Sequence, residues 1–176
     1  MKLDIVAKNK NDEYYTPRYA IEPILKYLPN NAIVWCPFDT KESLFVEMLK
    51  TKGCKVIHSH IDDGQDFFEY EPEEPYQCIV SNPPYSKKNE VLQRLKELDK
   101  PFAMLMGAVG IFESQVRFNL MKDINVDILI MNKRVDFFES FSEQKPSKNP
   151  PFSSWYITSR ILPRQIIYEE INKKAL

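Results

Sequence analysis

"VSNPPYSKKNEVL", residues 80–92, places Asn82, two prolines and the ring of Tyr85 directly behind an apolar run. Two consecutive prolines forbid both ladder hydrogen bonding and a helix interior, so the backbone must leave the strand there and present its polar groups. Immediately upstream, "YQCIV" reads as the buried strand that delivers this turn. Downstream, Val91, Leu92, Leu95 and Leu98 share one face of a helix that Ser86 can cap.

The same alternation extends in both directions. Thr16 and Pro17 read as an N-cap and a first helical position, ahead of an apolar face made by Ala20, Ile21, Ile24, Leu25 and Leu28. That face predicts a helix of about three turns. "AIVWCPF" is a short buried strand ended by Pro37, and Leu44, Phe45, Met48 and Leu49 mark a helix that stops at Gly53. "KVIHSHI" is a second strand, and an acidic stretch with seven carboxylates, "DDGQDFFEYEPEEP", leads back to the quoted turn. After it come the strand "FAMLMGAV", a helix near residues 114 to 122, and the strand "DILIMNK". This order predicts an α/β chain with a mostly parallel sheet and helices on both faces. "DILIMNK" and "SSWYITSRIL" are separated by a polar loop with no helical period, so the sheet is expected to close with an antiparallel C-terminal pair.

With 176 residues, 43% of them apolar, and no repeat period, the chain suits one domain over residues 1–176. The net charge of −1 writes no general adhesion to nucleic acid into the composition, so local charge must carry any such contact. The first residues lack a signal-peptide core, and the longest apolar stretch, "FAMLMGAVGIF", is too short for a bilayer. Cys36, Cys54 and Cys78 are an odd set without C-x-x-C spacing, which argues against a disulfide framework and a structural zinc. A reducing cytoplasm is the expected compartment.

In open α/β sheets ligands bind beyond the carboxyl ends of the strands, which is where the turn at residues 82–85 falls. The Asn82 side-chain oxygen and the Pro83 backbone carbonyl are two acceptors suited to both hydrogens of an exocyclic amine. Acceptors placed that way favour positive charge developing on the nitrogen as it attacks an electrophile. With Tyr85 available to stack, the set suits a planar amine-bearing substrate such as a flipped adenine.

"NPPY" behind an apolar strand resembles motif IV of the S-adenosylmethionine-dependent amino methyltransferases, especially the DNA adenine-N6 enzymes; the same tetrapeptide serves protein glutamine methyltransferases. "YYTPRYAIEPIL" resembles motif X, within residues 1–30, and its place before the strands resembles the gamma class; "VWCPF" resembles motif I and "DFF" resembles motif III. The resemblance implies a Rossmann-like methyltransferase fold, with Asn82, Pro83, Pro84 and Tyr85 catalytic. It implies that Tyr15, Thr16, Pro17, Cys36, Pro37, Phe38, His60, Asp66 and Phe67 line an S-adenosylmethionine site, Asp66 accepting from the adenine.

Departures from the family pattern are local. Where members carry D-P-F-x-G-x-G this chain has "CPFDTKE", so Cys36 replaces the acid while Thr40 and Glu42 replace glycines. Those side chains are expected to crowd the space glycine leaves, and Glu42 to bring charge near the cofactor's carboxylate. Asp39 and Glu42 also fit a capping box for the following helix. His60 stands where the family offers an acid to the ribose. A rival reading takes His58, His60 and Asp62, on one face of a strand, as metal ligands resembling the H-x-H-x-D-H signature of metallo-β-lactamase-type hydrolases, but Asp63 holds the last position and no other histidine remains.

The fold consumes nearly the whole chain and leaves residues 139–154 as the segment for substrate recognition. A second motif copy, "KNPPF" at residues 148–152, lies in that loop, where Lys145, Lys148, Asn149 and Phe152 are candidate substrate contacts. From Gln144 through Tyr168 the chain carries Lys145, Lys148, Arg160 and Arg164 without one acid, an asymmetry suited to phosphates. Three functions follow: a small, phage-like adenine-N6 methyltransferase acting on DNA; a fold that retired from catalysis and binds a protein or nucleic-acid partner as an antagonist; and a methyltransferase acting on RNA or a protein glutamine amide.

Overall fold

The apolar runs become the centre of one sheet in a computed structural model of the chain, which describes residues 15–138, 142, 145 and 152–174. In chain order the elements are α1 (Arg18–Leu25), β1 (Ile33–Cys36), α2 (Leu44–Thr51), β2 (Lys55–His58), β3 (Cys78–Ser81), α3 (Lys88–Leu98), β4 (Phe102–Gly107), α4 (Gln115–Ile124), β5 (Asp127–Met131), β6 (Ser154–Ser159) and β7 (Ile166–Glu169). Among the described residues the strands form a seven-stranded sheet in the order β2-β1-β3-β4-β6-β5-β7. β1 pairs in parallel with β2 and β3, β3 with β4, and β5 with β7, while β6 runs antiparallel to both β4 and β5. The β5–β6 pairing is the antiparallel pair expected from the sequence.

β4 explains why its sequence is apolar without alternation. Every residue of Phe102–Gly107 is buried. Ala103 and Leu105 face the layer of α1 and α2, and Phe102, Met104 and Met106 face the layer of α3 and α4. A strand covered on both faces has no solvated side for polar residues. Tyr156 on β6 fastens the first layer to the sheet, its hydroxyl donating to the Ala20 carbonyl at 2.8 Å.

Helix boundaries differ from the sequence reading in ways that have local causes. Pro17, with φ −72° and ψ 154°, is the last extended residue before α1, one position later than expected, and its carbonyl accepts from the Ala20 amide at 3.0 Å. α1 has 8 residues, and its apolar stripe reaches Leu28 through a tighter turn in which Tyr27 and Leu28 donate to Ile24 and Leu25. Such i→i+3 bonds commonly close a helix. Lys87, not Ser86, occupies the N-cap position of α3, because Tyr85–Lys87 form a 3₁₀ turn first.

β7 was not anticipated. It adds to the free edge of β5, where Ile167 is buried and Glu169 accepts from Lys26 Nζ at 2.5 Å and from the Tyr27 hydroxyl at 2.6 Å.

Candidate active site

β1 has β2 on one side and β3 on the other, so the chain reverses its direction of travel across the sheet between β1 and β3. Such a switch point leaves a crevice at the carboxyl ends of the two strands. β1 ends at Cys36 and β3 at Ser81, directly before Asn82. The loop after β1 is stitched to the end of β2: Ser59 N–H donates to the Cys36 carbonyl at 3.1 Å, and Asp39 N–H to the Ser59 carbonyl at 3.2 Å. Ser59 Oγ accepts from Trp35 Nε1 at 2.9 Å in the interior.

That loop carries Asp39 into the junction. Its side chain is buried, with Oδ1 accepting from the Ser43 hydroxyl and Oδ2 from the Ser81 hydroxyl. Burial pushes the Asp39 carboxyl from its ordinary 3.8 up to about 6, against the opposing pull of the two hydroxyls and of His60. The capping-box reading of Asp39 and Glu42 is therefore corrected: Ser43 is the N-cap of α2, its Oγ accepting from the Phe45 amide at 3.2 Å. The expected crowding by Glu42 is also relieved, since its half-exposed carboxylate pairs with Lys41 at 3.6 Å on the surface.

The turn itself has a built seat for its ring. Pro83 is buried, and Asn82 is half-buried with its Oδ1 shielded from solvent. Tyr85 rests on Gly107 at the end of β4, where an added Cβ would lie 3.0 Å from Tyr85 Cδ2 and 3.5 Å from Phe152 Cδ2. The Tyr85 ring meets Phe137 edge-on at 6.1 Å and Phe152 at 5.5 Å, and its hydroxyl donates to Ser154 Oγ at 3.2 Å. Lys88 Nζ stands 5.7 Å from the same ring. The aromatic residues of the two N-P-P copies thus converge, because the antiparallel register sets Ser154 opposite Gly107.

The remaining candidates fall into three positions. Tyr15 pairs with Phe138 through two backbone bonds of 3.1 and 2.9 Å, which brings buried Thr16 and Pro17 alongside the segment that carries Phe137. Cys36 and Pro37 are buried, and Phe38 is half-buried, its ring 4.8 Å from Phe67. Phe67 itself is a core residue against Trp35. Asp66 Oδ1 accepts from the Phe68 amide at 3.1 Å and so closes its own turn. His60 caps a short 3₁₀ turn, its Nδ1 accepting from the Asp62 amide at 3.2 Å. Lys145 is exposed, while Lys148 and Asn149 lie outside the described residues.

Two sequence readings change. Among the described residues no group of three His, Cys, Asp or Glu side chains is placed to hold a metal, and His58 Nδ1 is buried without a hydrogen-bond partner. Arg160 of the basic run stands away from the turn: β6 starts beside Gly107, and Arg160, just past its far end, is paired with Asp99 at 3.0 Å. From Ser154 to Arg160 that separation is about 20 Å at the rise of a strand. The same far end holds a cavity of about 410 Å³ lined by Lys96, Asp99, Asp123 and Arg160, whose charges pair with one another. Sequence reasoning missed Asp39, Ser43 and Ser81 as a unit, and Gly107 as the seat of Tyr85; only the glycine, ending a wholly apolar run, left a local signal.

A solved structure shares the architecture. The 23S rRNA methyltransferase ErmE is similar over 86% of this chain and 71% of its own, with 16% identity and a TM-score of 0.51. A precorrin-6y C5,15-methyltransferase from Geobacter metallireducens GS-15 aligns over 84% of this chain and 92% of its own, at 10% identity and a TM-score of 0.41. No protein-family model and no curated protein sequence matches. At such identity the likeness to ErmE speaks for architecture alone, and together with the strand order it makes the fold of this chain the Rossmann-like methyltransferase fold.

Proposed function

We propose that this protein is an S-adenosylmethionine-dependent methyltransferase that modifies the N6 amine of adenine in DNA. The observation that carries the reading is the Asn82-Pro83-Pro84-Tyr85 turn at the carboxyl end of β3, beside the switch point and joined to it by the Ser81–Asp39 bond. The residues at the junction fit the cofactor: Phe38 offers a half-buried ring, Asp39 a buried anion to face a cationic ligand, and Glu42 turns to the surface. Phe38, Pro37 and the loop through Thr40 would hold it, with Tyr15, Thr16 and Pro17 bordering it across the Phe138 bridge.

When bound, S-adenosylmethionine supplies a methyl group on a sulfonium cation, which passes to the amine lone pair as the S–C bond breaks. The protein's own part is placement. Asn82 Oδ1 and the Pro83 carbonyl accept the two amine hydrogens, which aims the lone pair outward and favours the charge that develops on nitrogen. Tyr85, half-buried, supplies a ring face for an extruded base and buried Phe152 backs it, at an unstacking cost of about a few kcal/mol. Lys145, Lys148 and Asn149 are assigned to the substrate strand. The amine proton leaves to water once the new N–C bond has formed.

A second reading has an observation of its own: ErmE is named as an rRNA methyltransferase, so RNA is the alternative acceptor. Transfer of a labelled methyl group to DNA, to RNA and to protein, measured in parallel, separates the acceptors. Asn82→Ala is expected to abolish transfer to the true acceptor. Full activity in that variant would remove the assignment, and failure of wild type to label any class would leave the retired, partner-binding fold.

A further inference from the structure

Asp39 is a buried acid with no salt bridge among the described residues. Its two oxygens are satisfied by the Ser43 and Ser81 hydroxyls, yet hydroxyls carry no net charge. Among the described residues no Lys, Arg or His lies within ion-pair distance of it. Of its titratable neighbours, burial pushes the Cys36 thiol and the Tyr156 phenol well up, so both stay neutral, and His60, the residue after the Ser59 whose carbonyl accepts from the Asp39 amide, attracts the carboxylate without outweighing its burial. Buried charges are ordinarily paired or bound to a metal. A single buried carboxylate that ties the loop after β1 to the start of α2 and the end of β3, and whose burial outweighs the attractions the fold gives it, is arranged for a charge that arrives from outside.

We propose that Asp39 is the counter-charge of the ligand site, facing the cationic part of an S-adenosylmethionine-type ligand at the β1–β3 junction, and that its bond with Ser81 sets the orientation of Asn82. The inference rests on the methyltransferase reading of the site. It makes Asp39 a positioning residue for the turn and an electrostatic one for the ligand. Removing the charge while keeping the shape weakens a cationic ligand selectively, because a neutral ligand of the same nucleoside class gains nothing from the anion.

The test is titration calorimetry of wild type, Asp39→Asn and Ser81→Ala with two probes, S-adenosylmethionine and the uncharged 5′-methylthioadenosine. Asp39→Asn is expected to lower affinity for S-adenosylmethionine by about tenfold or more while holding methylthioadenosine within about twofold. Ser81→Ala, titrated in buffer well above the Asp39 titration range because losing this hydroxyl raises that range further, keeps the charge and is expected to bind S-adenosylmethionine within about threefold of wild type and to lose methyl transfer through kcat. Equal weakening of both probes by Asp39→Asn would assign the residue to structural support alone and overturn the proposal. So would unchanged binding of both, with the methyltransferase reading left standing. Wild type binding neither probe would overturn that reading and this proposal together.

Discussion

Asp39→Asn exchanges a buried charge for a neutral group of the same shape, and its effect on stability follows from the direction in which the fold moves this carboxyl. The folded protein holds it at about 6, the unfolded chain near 3.8. Between those values the native state binds more protons than the unfolded state, so the contribution of Asp39 to stability falls as pH rises through this window and is level above it. A shift of about 2 units corresponds to about 3 kcal/mol. Asparagine removes that penalty, but its bonds to Ser43 and Ser81 are neutral ones, each weaker by about 0.5–1 kcal/mol. The net expectation is a variant more stable than wild type by about 1–2 kcal/mol above pH 7, with the advantage shrinking to nothing or reversing near pH 4. Urea denaturation followed by circular dichroism reads this as a midpoint raised by about 0.5–1 M, given an m-value of about 2 kcal/mol/M. Other carboxylates titrate in both proteins and cancel in the difference. A variant less stable than wild type at neutral pH, or a difference that does not change with pH, would refute the reasoning. A gain in stability coupled to a loss of ligand affinity is the trade expected where a site holds a destabilised group for use.

Two further substitutions probe the frame around the junction. Gly107→Ala puts a Cβ 3.0–3.1 Å from the Tyr85 ring, so the ring must shift by a few tenths of an ångström; stability is expected to change by less than about 1 kcal/mol while kcat for methyl transfer falls about tenfold, measured by urea titration and labelled-methyl kinetics. Ser59→Ala strips the acceptor from the buried Trp35 Nε1–H; a loss of about 1–3 kcal/mol is expected in urea, and a loss below about 0.5 kcal/mol would show that the indole finds another partner.

Much of this architecture is legible because burial on both faces writes continuous apolar runs. "FAMLMG" and "CIVS" are uniformly buried, and consecutive prolines after the second of these can only be a strand exit. What local sequence conveys poorly is pairing across distance. β7 is four residues long at a sheet edge with Ile167 as its buried member, so its placement depends on a parallel partner, β5, that no short-range pattern specifies. The second N-P-P copy looks like plain loop because no strand precedes it; it reaches Tyr85 through the register of β6 on β4, which brings Ser154 against Gly107.

Asp39 is the sharpest case. By spacing, Asp39 and Glu42 match a helix-capping pair, and nothing nearby contradicts that reading. The partner that decides the matter, Ser81, is 42 residues away. Capping would have left the carboxylate at the surface and at no cost, whereas the observed loop takes it inside, where burial raises its protonation point. Local rules favour the cheaper placement, so the fold's departure from them needs a cause outside the helix. The position of the departure supplies one: the carboxylate sits where the loops after β1 and β3 part, bonded to the Ser81 that precedes Asn82, which is where a ligand with a positive charge would recover the cost of burying a negative one.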